Sequence, residues 1–139
     1  MKIDYSAFEK AIDQLEKSRG FLRSEMAAGN KDLYEQFRAA SIKAFEYTYE
    51  LALKMIRRQL DQIAINPEEL REMAFMDFIR TAHEAGLVRE VPAFKVYREK
   101  RNITAHTYDA DKAEEILPVL DPFLRDARYI LGELKKRNS

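Results

Sequence analysis

Residues 32–64 carry an apolar pattern with the period of an α-helix and contain neither glycine nor proline. At a rise of about 1.5 Å per residue, such a helix would be about 45–50 Å long, which is long for a chain of 139 residues. Its apolar side chains form two adjacent rows: Leu33, Phe37, Ala44, Leu51 and Met55, and Ile42, Phe45, Tyr49, Ala52 and Ile56. An apolar face of that width contacts more than one neighbour, so we expect it in a bundle core or an oligomer interface.

A shorter helical pattern precedes the long one. Over residues 5–27 the apolar side chains recur at three- and four-residue steps: Phe8, Ile12, Leu15, Leu22 and Met26. Gly29 breaks this pattern, and Asn30 or Asp32 suits the N-cap of the long helix, because a side-chain oxygen there accepts a bond from the first turn. The sequence therefore predicts two separate helices in residues 5–64.

A third helix is predicted to begin at Asn66. Pro67 suits the first helical position, and Glu69 lies where a capping-box carboxylate belongs. The helix carries a further apolar stripe: Leu70, Met73, Phe78 and Ala82. It is expected to end where Gly86 can adopt the left-handed conformation, and a fourth helix then begins at Val91-Pro92.

A fifth helix is predicted in the C-terminal part of the chain. Asp109 or Asp111 can cap it, and it ends near Lys136. Pro118 and Pro122 interrupt this helix, but one apolar stripe continues across both: Leu117, Leu120, Leu124, Ala127, Leu131 and Leu134. Because the stripe is continuous, we expect a kinked or restarted helix on one core and not a domain boundary.

Composition limits the class of protein. Hydrophobic residues make up 46% and charged residues 35%, as in globular chains, and no strand pattern, repeat or linker stands out. We therefore predict one all-α domain over residues 1–139, an antiparallel bundle of about five helices. The net charge is zero, which argues against tight duplex binding through phosphate neutralisation alone but allows a local basic groove.

The sequence also excludes several kinds of site. The chain has no cysteine, which excludes disulfides, thiolate catalysis and cysteine-ligated metal sites. Residues 1–14 are charged throughout and lack the apolar run of a signal peptide. No segment approaches the ~20 apolar residues of a membrane span. We expect a cytoplasmic protein without a membrane contact, a cofactor or a metal site.

The stretch REKRNITAHTYD, residues 98–109, contains one of only two histidines in the chain. If the fourth helix continued through it, five polar side chains would share an arc of roughly 160° at about 100° per residue: Arg98, Arg101, Asn102, His106 and Tyr108. Val96 and Ile103 would then point the opposite way, toward the core. Helical geometry therefore predicts a polar cluster on one side of this helix.

These residue types suit chemistry on a phosphate. The guanidinium of Arg101 can bind phosphate oxygens in a fork, and His106 can remove or return a proton near neutral pH. Asn102 could orient the imidazole or contact a base, and Tyr108 could contact a ligand or accept a nucleotidyl group. In the alternative interpretation, the Arg and His simply complement the dipole at a helix C-terminus. Spacing alone favours this plainer interpretation.

Two other sets of polar residues were considered. Glu46 and Glu50 lie one turn apart on the long helix. In one interpretation they contribute acidic side chains to a cleft and pair with Arg101. In the other they belong to a solvated stripe on the helix surface. We favour the solvated stripe, in which Glu50 pairs with Lys54, because such surface pairs are common. His83 has no ligand-type residue at metal-binding spacing and is interpreted as a surface or packing residue.

Three blocks of sequence carry a resemblance to a known family. RNITAHTYD, residues 101–109, has the spacing Arg-x4-His-x-Tyr, and AFEYTYELALK (44–54) and AHEAGLV (82–88) precede it in the family's order. The blocks resemble the HEPN superfamily and, within it, the HepT-like nucleotidyltransferase substrate-binding proteins. Leu53 stands where members often have tryptophan, a departure that concerns packing and not chemistry.

The resemblance implies a small helical bundle that forms a homodimer and brings two Arg–His motifs together around a cleft. It implies a toxin–antitoxin pair, in which this chain is a metal-independent ribonuclease and its partner is a minimal nucleotidyltransferase. The partner would silence the toxin by transferring AMP to Tyr108. Arg101 and His106 would be catalytic with Asn102 beside them, and the candidate supporting residues are Arg98, Glu46 and Glu50.

Two functions remain open from the sequence. One is a ribonuclease that cuts RNA, with tRNA among the candidates, and leaves 2′,3′-cyclic phosphates. The other is a non-catalytic subunit that binds a substrate or nucleotide and docks a minimal nucleotidyltransferase. The complete set from Arg101 to Tyr108 favours the ribonuclease, although the same residues could bind a nucleotide phosphate without cleaving it.

Overall fold

The computed structural model describes residues 2–139, and these residues form α-helices and no strand. The eight α-helices are α1 Ser6–Leu22, α2 Glu25–Ala28, α3 Lys31–Ile63, α4 Pro67–Glu72, α5 Phe75–Glu84, α6 Val91–Ile103, α7 Ala110–Ile116 and α8 Leu120–Asn138. Short 3-10 turns occupy Thr104–His106 and Leu117–Val119. The all-α fold predicted from the sequence is confirmed, and the larger number of helices arises because three of the five predicted segments are each divided in two.

The division of the first segment explains one wrong prediction. α1 ends at Leu22, and the side chain of Ser24 accepts a bond from the backbone N–H of Ala27 to cap the short α2. The change of direction takes Met26 off the apolar stripe, and its side chain is 58% exposed. The other four members of the stripe are buried as predicted.

The predicted helix caps are present. Asn30 accepts a bond from the N–H of Leu33 at 3.1 Å and so starts α3. Asn66 accepts from two N–H groups in the first turn of α4, in which Pro67 is the first residue. Asp109 caps α7 by accepting from the N–H of Asp111 at 2.9 Å. Each cap satisfies N–H groups that the helix itself leaves without a partner.

The loop between α5 and α6 is held at several points. Gly86 has a φ of +83° and closes α5 by donating its N–H to the carbonyl of His83. Tyr129 and Arg137 of α8 donate to the carbonyls of Gly86 and of the residue before it. His83 is exposed and contacts the carbonyl of Val88 through Nδ1 at 2.7 Å, in agreement with the prediction of a surface or packing residue. These contacts determine where α6 begins.

The two prolines of the C-terminal segment are accommodated as predicted. Pro118 lies in the 3-10 turn Leu117–Val119, and Pro122 lies in the first turn of α8, where a missing N–H costs no helical bond. The helix therefore restarts at Leu120. The stripe from there to Leu134 is buried against the same core.

α3 lies at the centre of the bundle and contacts α1, α2, α6, α7 and α8. Its second apolar row is buried throughout, whereas the first is only half-buried except at Met55. Phe123 of α8 joins three rings, because its centroid lies 5.1 Å from that of Phe45, 5.2 Å from Tyr97 and 6.3 Å from Tyr49. This aromatic cluster connects α3, α6 and α8. Within residues 2–139, no helix is long and apolar enough to cross a membrane.

A buried polar pair lies beside the aromatic cluster. The hydroxyl of Tyr97 donates to Oδ2 of Asp126, and the Asp126 side chain is only 8% exposed. Burial raises the pKa of the Asp126 carboxyl, although the Tyr97 bond and nearby Arg89 oppose the rise. The ionised carboxylate is therefore less favourable in the folded state than in the unfolded chain.

The raised pKa of Asp126 in the Tyr97–Asp126 pair predicts how the stability of the fold depends on pH. Since the folded pKa of Asp126 is raised, its favourable contribution is complete below the unfolded value of 3.8 and is lost as pH rises through the folded pKa. In urea titrations at several pH values, the stability of Asp126→Asn relative to the wild type should therefore increase as pH rises above 3.8. Asp121→Asn is the control. Its stability relative to the wild type should change with pH in the opposite direction, because bonds from Arg23 and Arg19 lower the pKa of Asp121. A pH-independent difference for Asp126→Asn would contradict the expectation.

Candidate functional site

The polar stretch does not continue as one helix. α6 ends at Ile103, residues 104–106 form a 3-10 turn, and Tyr108 lies in the following turn before the Asp109 cap. The prediction of a 160° arc of five side chains on one helix is therefore wrong beyond Ile103. Asp109 then adopts an extended backbone conformation and caps α7.

Arg101 is held by a carboxylate on the central helix. Its Nε and Nη2 both lie close to Oε1 of Glu50, at 2.7 and 2.6 Å. The hydrogen bond to Glu50 raises the pKa of Arg101 above its usual value. The predicted pair of Glu50 with Lys54 is therefore wrong, and the less favoured pair of Glu50 with Arg101 is present. Glu50 and Arg101 are both partly exposed, so the pair faces solvent.

Glu46 anchors the end of α6 by a different contact. Its Oε2 lies 2.5 Å from the hydroxyl of Thr104, and Lys43 contacts its other oxygen at 3.2 Å. The bond from Thr104 lowers the pKa of the Glu46 carboxyl. The same hydroxyl lies 2.6 Å from the carbonyl of Arg101. Thr104 thus ties the last turn of α6 to α3 just before His106.

Thr104 was missed by the sequence analysis. It is buried, yet it stands between residues whose chemistry drew attention, and a threonine near a helix end is common. Only its contact with Glu46, 58 residues earlier, shows that it positions this segment. A cavity of about 260 Å³ lies beside it, lined by Ala39, Ile42, Lys43, Glu46, Thr104 and Thr107.

His106 and Tyr108 form the exposed part of the site. Their ring centroids lie 6.1 Å apart in an edge-to-face arrangement, and Tyr108 is 87% exposed. Asn102 is exposed as well. Among the described residues, no hydrogen bond joins Arg101 to His106 directly. The segment after α6 therefore presents an exposed imidazole and an accessible phenol, while Arg101 in the last turn of α6 is held by a carboxylate.

The remaining predictions for α6 are mixed. Arg98 stacks on Phe75 of α5, with its Cζ 4.6 Å from the ring centroid, and does not contact Arg101. Ile103 packs against the core as predicted. Val96 does not, since it is 41% exposed; α6 instead buries Phe94 and Tyr97. In residues 2–139, no group of three or more acidic or histidine side chains is arranged to hold a metal ion.

The Glu50–Arg101 pair predicts how an anion should bind. Phosphate has to compete with Glu50 for the guanidinium, and an exposed pair of this kind contributes about 0.2–1 kcal/mol. Glu50→Gln is therefore expected to bind 5′-AMP about two- to fivefold more tightly than the wild type in an NMR titration. Glu68→Gln is the matched control, because it removes one negative charge from an exposed pair with Arg71 elsewhere. Unchanged or weaker binding by Glu50→Gln would show that Glu50 does not compete with the anion.

The fold and site define a class: an all-α bundle with an Arg-x4-His-x-Tyr motif that begins in the last turn of one helix, where its arginine pairs with a long central helix. The family described as nucleotidyltransferase substrate binding protein like matches residues 3–136. This chain belongs to that family.

Individual relatives agree with this assignment. The chain is 42% identical over 100 residues to a Haemophilus influenzae protein named probable ribonuclease HepT, a match that covers 72% of this chain and 68% of the relative. It also resembles a Haemophilus influenzae structure described as the fold of a substrate binding domain of a nucleotidyltransferase. That likeness has a TM-score of 0.90 and 32% identity over 95% of this chain and 99% of the other. A Thermus thermophilus structure matches with a TM-score of 0.66 and 28% identity, over 91% and 98% of the two chains.

Proposed function

We propose that this chain is a cytoplasmic, HepT-like toxin that cleaves RNA without a metal ion and is controlled by a partner nucleotidyltransferase. The observation that carries the proposal is the contact between the exposed rings of His106 and Tyr108, in the segment that follows the Glu50-paired Arg101 at the end of α6. The name of the Haemophilus influenzae relative, probable ribonuclease HepT, supports the same activity.

The proposed reaction is a transesterification within the RNA chain. The ribose 2′-oxygen bonds to the adjacent phosphorus, the bond from phosphorus to the 5′-oxygen breaks, and a 2′,3′-cyclic phosphate remains. His106 accepts the proton of the 2′-hydroxyl as general base. Arg101 stabilises the charge that develops on the phosphoryl oxygens, through the N–H groups that Glu50 leaves free. Asn102 holds the RNA or the imidazole.

The 5′-oxygen has to receive a proton as it leaves. In the proposed homodimer, two Arg–His motifs face one cleft, and the second copy's protonated imidazole supplies this proton. One histidine then acts as base while the other acts as acid. Proton exchange with solvent afterwards returns both imidazoles to their starting protonation states. The exposed position of His106 is compatible with such a cleft between two copies.

Tyr108 is the proposed point of control. A partner nucleotidyltransferase transfers AMP from ATP to its hydroxyl, which is accessible because the side chain is 87% exposed. The phenol oxygen loses its proton and bonds to the α-phosphorus, and pyrophosphate leaves. The added phosphodiester would lie next to His106, since the two rings are in contact. Its negative charge and bulk would occupy the place of the RNA phosphate, so the modified toxin is silent.

RNA cleavage in excess EDTA tests the proposal. The unmodified protein, with the mass of Tyr108 checked, is incubated with tRNA and total RNA, and the product ends are analysed. Cleavage that leaves cyclic phosphates supports a metal-independent ribonuclease. Intact RNA at high protein concentration would refute it.

A second function is supported by the family description and by the Haemophilus influenzae structure described as a substrate binding domain. In that case the chain binds a nucleotide at Arg101 and docks a nucleotidyltransferase, without cleaving RNA. Binding of 5′-AMP together with intact RNA would favour this function.

A further inference from the structure

Two arginines near the site are stacked on phenylalanine rings. The Cζ of Arg98 lies 4.6 Å from the ring centroid of Phe75, and the Cζ of Arg57 lies 4.6 Å from that of Phe78. Both rings belong to α5 and lie one turn apart. Arg98 belongs to α6 and Arg57 to α3, so the two rings of α5 contact guanidiniums from two other helices.

These two arginines differ from the other stacked ones. Arg38 lies over a tyrosine but pairs with Glu114 at 2.9 Å, and Arg89 lies over a tyrosine but is 3.9 Å from Asp126. Among residues 2–139, neither Arg57 nor Arg98 has a carboxylate partner within 4.0 Å. Neither guanidinium therefore forms an ion pair with a described side chain.

The stacking orients the two guanidiniums and leaves their N–H groups available to bind an anion. A ring covers one face of the guanidinium, while the N–H donors lie in its plane and remain available. A phenylalanine ring also holds the group in place without competing for those donors. The N–H groups along the edge of a guanidinium bind carboxylates and phosphates best.

The positions of the two arginines connect them to the candidate site. Arg98 precedes Arg101 by nearly one turn of α6, and Arg57 follows Glu50 by seven residues on α3, about 10 Å along the same side of that helix. Burial raises the pKa of Tyr49 on α3 to about 12, and the charges of Arg98 and Arg101 both oppose that rise. The guanidiniums of Arg98 and Arg101 therefore both lie near Tyr49, the residue that precedes Glu50 on α3.

We propose that Arg98 and Arg57, mounted on Phe75 and Phe78, form a track that binds the backbone phosphates of single-stranded RNA leading into the Arg101 site. The inference rests on the proposed function for the choice of RNA as the ligand. The track contacts backbone and not bases, so it adds affinity and register without sequence preference.

Salt dependence provides the test. The probe is a short, fluorescein-labelled single-stranded RNA of mixed sequence, bound to full-length His106→Ala protein and followed by anisotropy from about 50 to 200 mM salt. In this background, Arg57→Gln and Arg98→Gln should each weaken binding and reduce the slope of log K against log salt by about 0.7, and the double variant by about 1.4. A purely structural role would not change the slope.

Two further variants separate charge from position. Arg80→Gln removes a charge from α5 that Asp77 already neutralises at 2.6 Å, so its slope should equal that of the parent. Phe75→Leu keeps every charge but removes the ring beneath Arg98, so it should retain the slope and lose about two- to fivefold in affinity. Slopes of Arg57→Gln and Arg98→Gln equal to that of Arg80→Gln would overturn the track, as would an affinity of Phe75→Leu equal to that of the His106→Ala parent.

The track and the ribonuclease can fail separately. If wild-type protein cleaves RNA while the two arginine variants keep the parent slope, the track is refuted and the enzyme stands. If RNA stays intact while the slopes fall as expected, the enzyme is refuted and the track stands.

Discussion

His106→Ala is expected to reduce RNA cleavage by about 10²–10⁴-fold, the usual contribution of a general acid or base. The alanine variant lacks the imidazole that would take the 2′-hydroxyl proton, but it retains the Arg101–Glu50 pair on α6 and α3. The measurement is single-turnover cleavage in EDTA, with the product ends identified. RNA binding should remain, because the cationic side chains are unchanged.

The other histidine provides the matched control. His83 contacts the carbonyl of Val88 in the loop before α6 and lies outside the cluster. His83→Asn can preserve a hydrogen bond to that carbonyl and should cleave RNA like the wild type. Equal cleavage by wild type and His106→Ala would place the chemistry elsewhere or trace it to a contaminating nuclease.

Phe123→Ala is expected to lower the free energy of unfolding by about 3–5 kcal/mol, the usual cost of deleting a buried phenylalanine ring. Phe123 is fully buried and contacts the rings of Phe45, Tyr49 and Tyr97. The alanine would leave a cavity that these three rings can fill only by moving. Urea unfolding measured by circular dichroism gives the difference directly.

Tyr47→Ala is the control for this loss. Tyr47 lies on the same central helix but is 55% exposed, so its removal should change the free energy of unfolding by about 0.5 kcal/mol or less. A similarly small effect of Phe123→Ala would mean that the aromatic cluster does not stabilise the fold. The cluster also concerns the site, since Tyr49 precedes Glu50 on α3 and Tyr97 lies one turn before Arg101 on α6.

Much of the helical architecture was predictable because its signals are local. Asn30, Asn66 and Asp109 cap helices within three residues of themselves, and Gly86 ends one with its positive φ. The restart after the two prolines followed from an uninterrupted apolar stripe. Met26 was placed wrongly because periodicity does not report that α1 stops at Leu22 and the chain changes direction.

The residues proposed for the candidate site can be read from the sequence, but their geometry cannot. The motif residues Arg101, His106 and Tyr108 stand out by type and spacing. A helical projection cannot show, however, that α6 ends at Ile103 or that Val96 faces solvent. At the helix end the buried Thr104 is tied to Glu46, and the next helix begins with the Asp109 cap.

The sequence by itself determined the helical class and the main helix starts, since each depends on hydrogen bonds or periodicity within a few residues. Only the tertiary structure decided which carboxylate holds Arg101, because Glu50 lies 51 residues earlier and reaches it through the packing of α3 against α6. It likewise decided that Phe75 and Phe78 lie beneath two arginines of other helices. Such contacts depend on how helices distant in sequence pack together, and no local pattern encodes them.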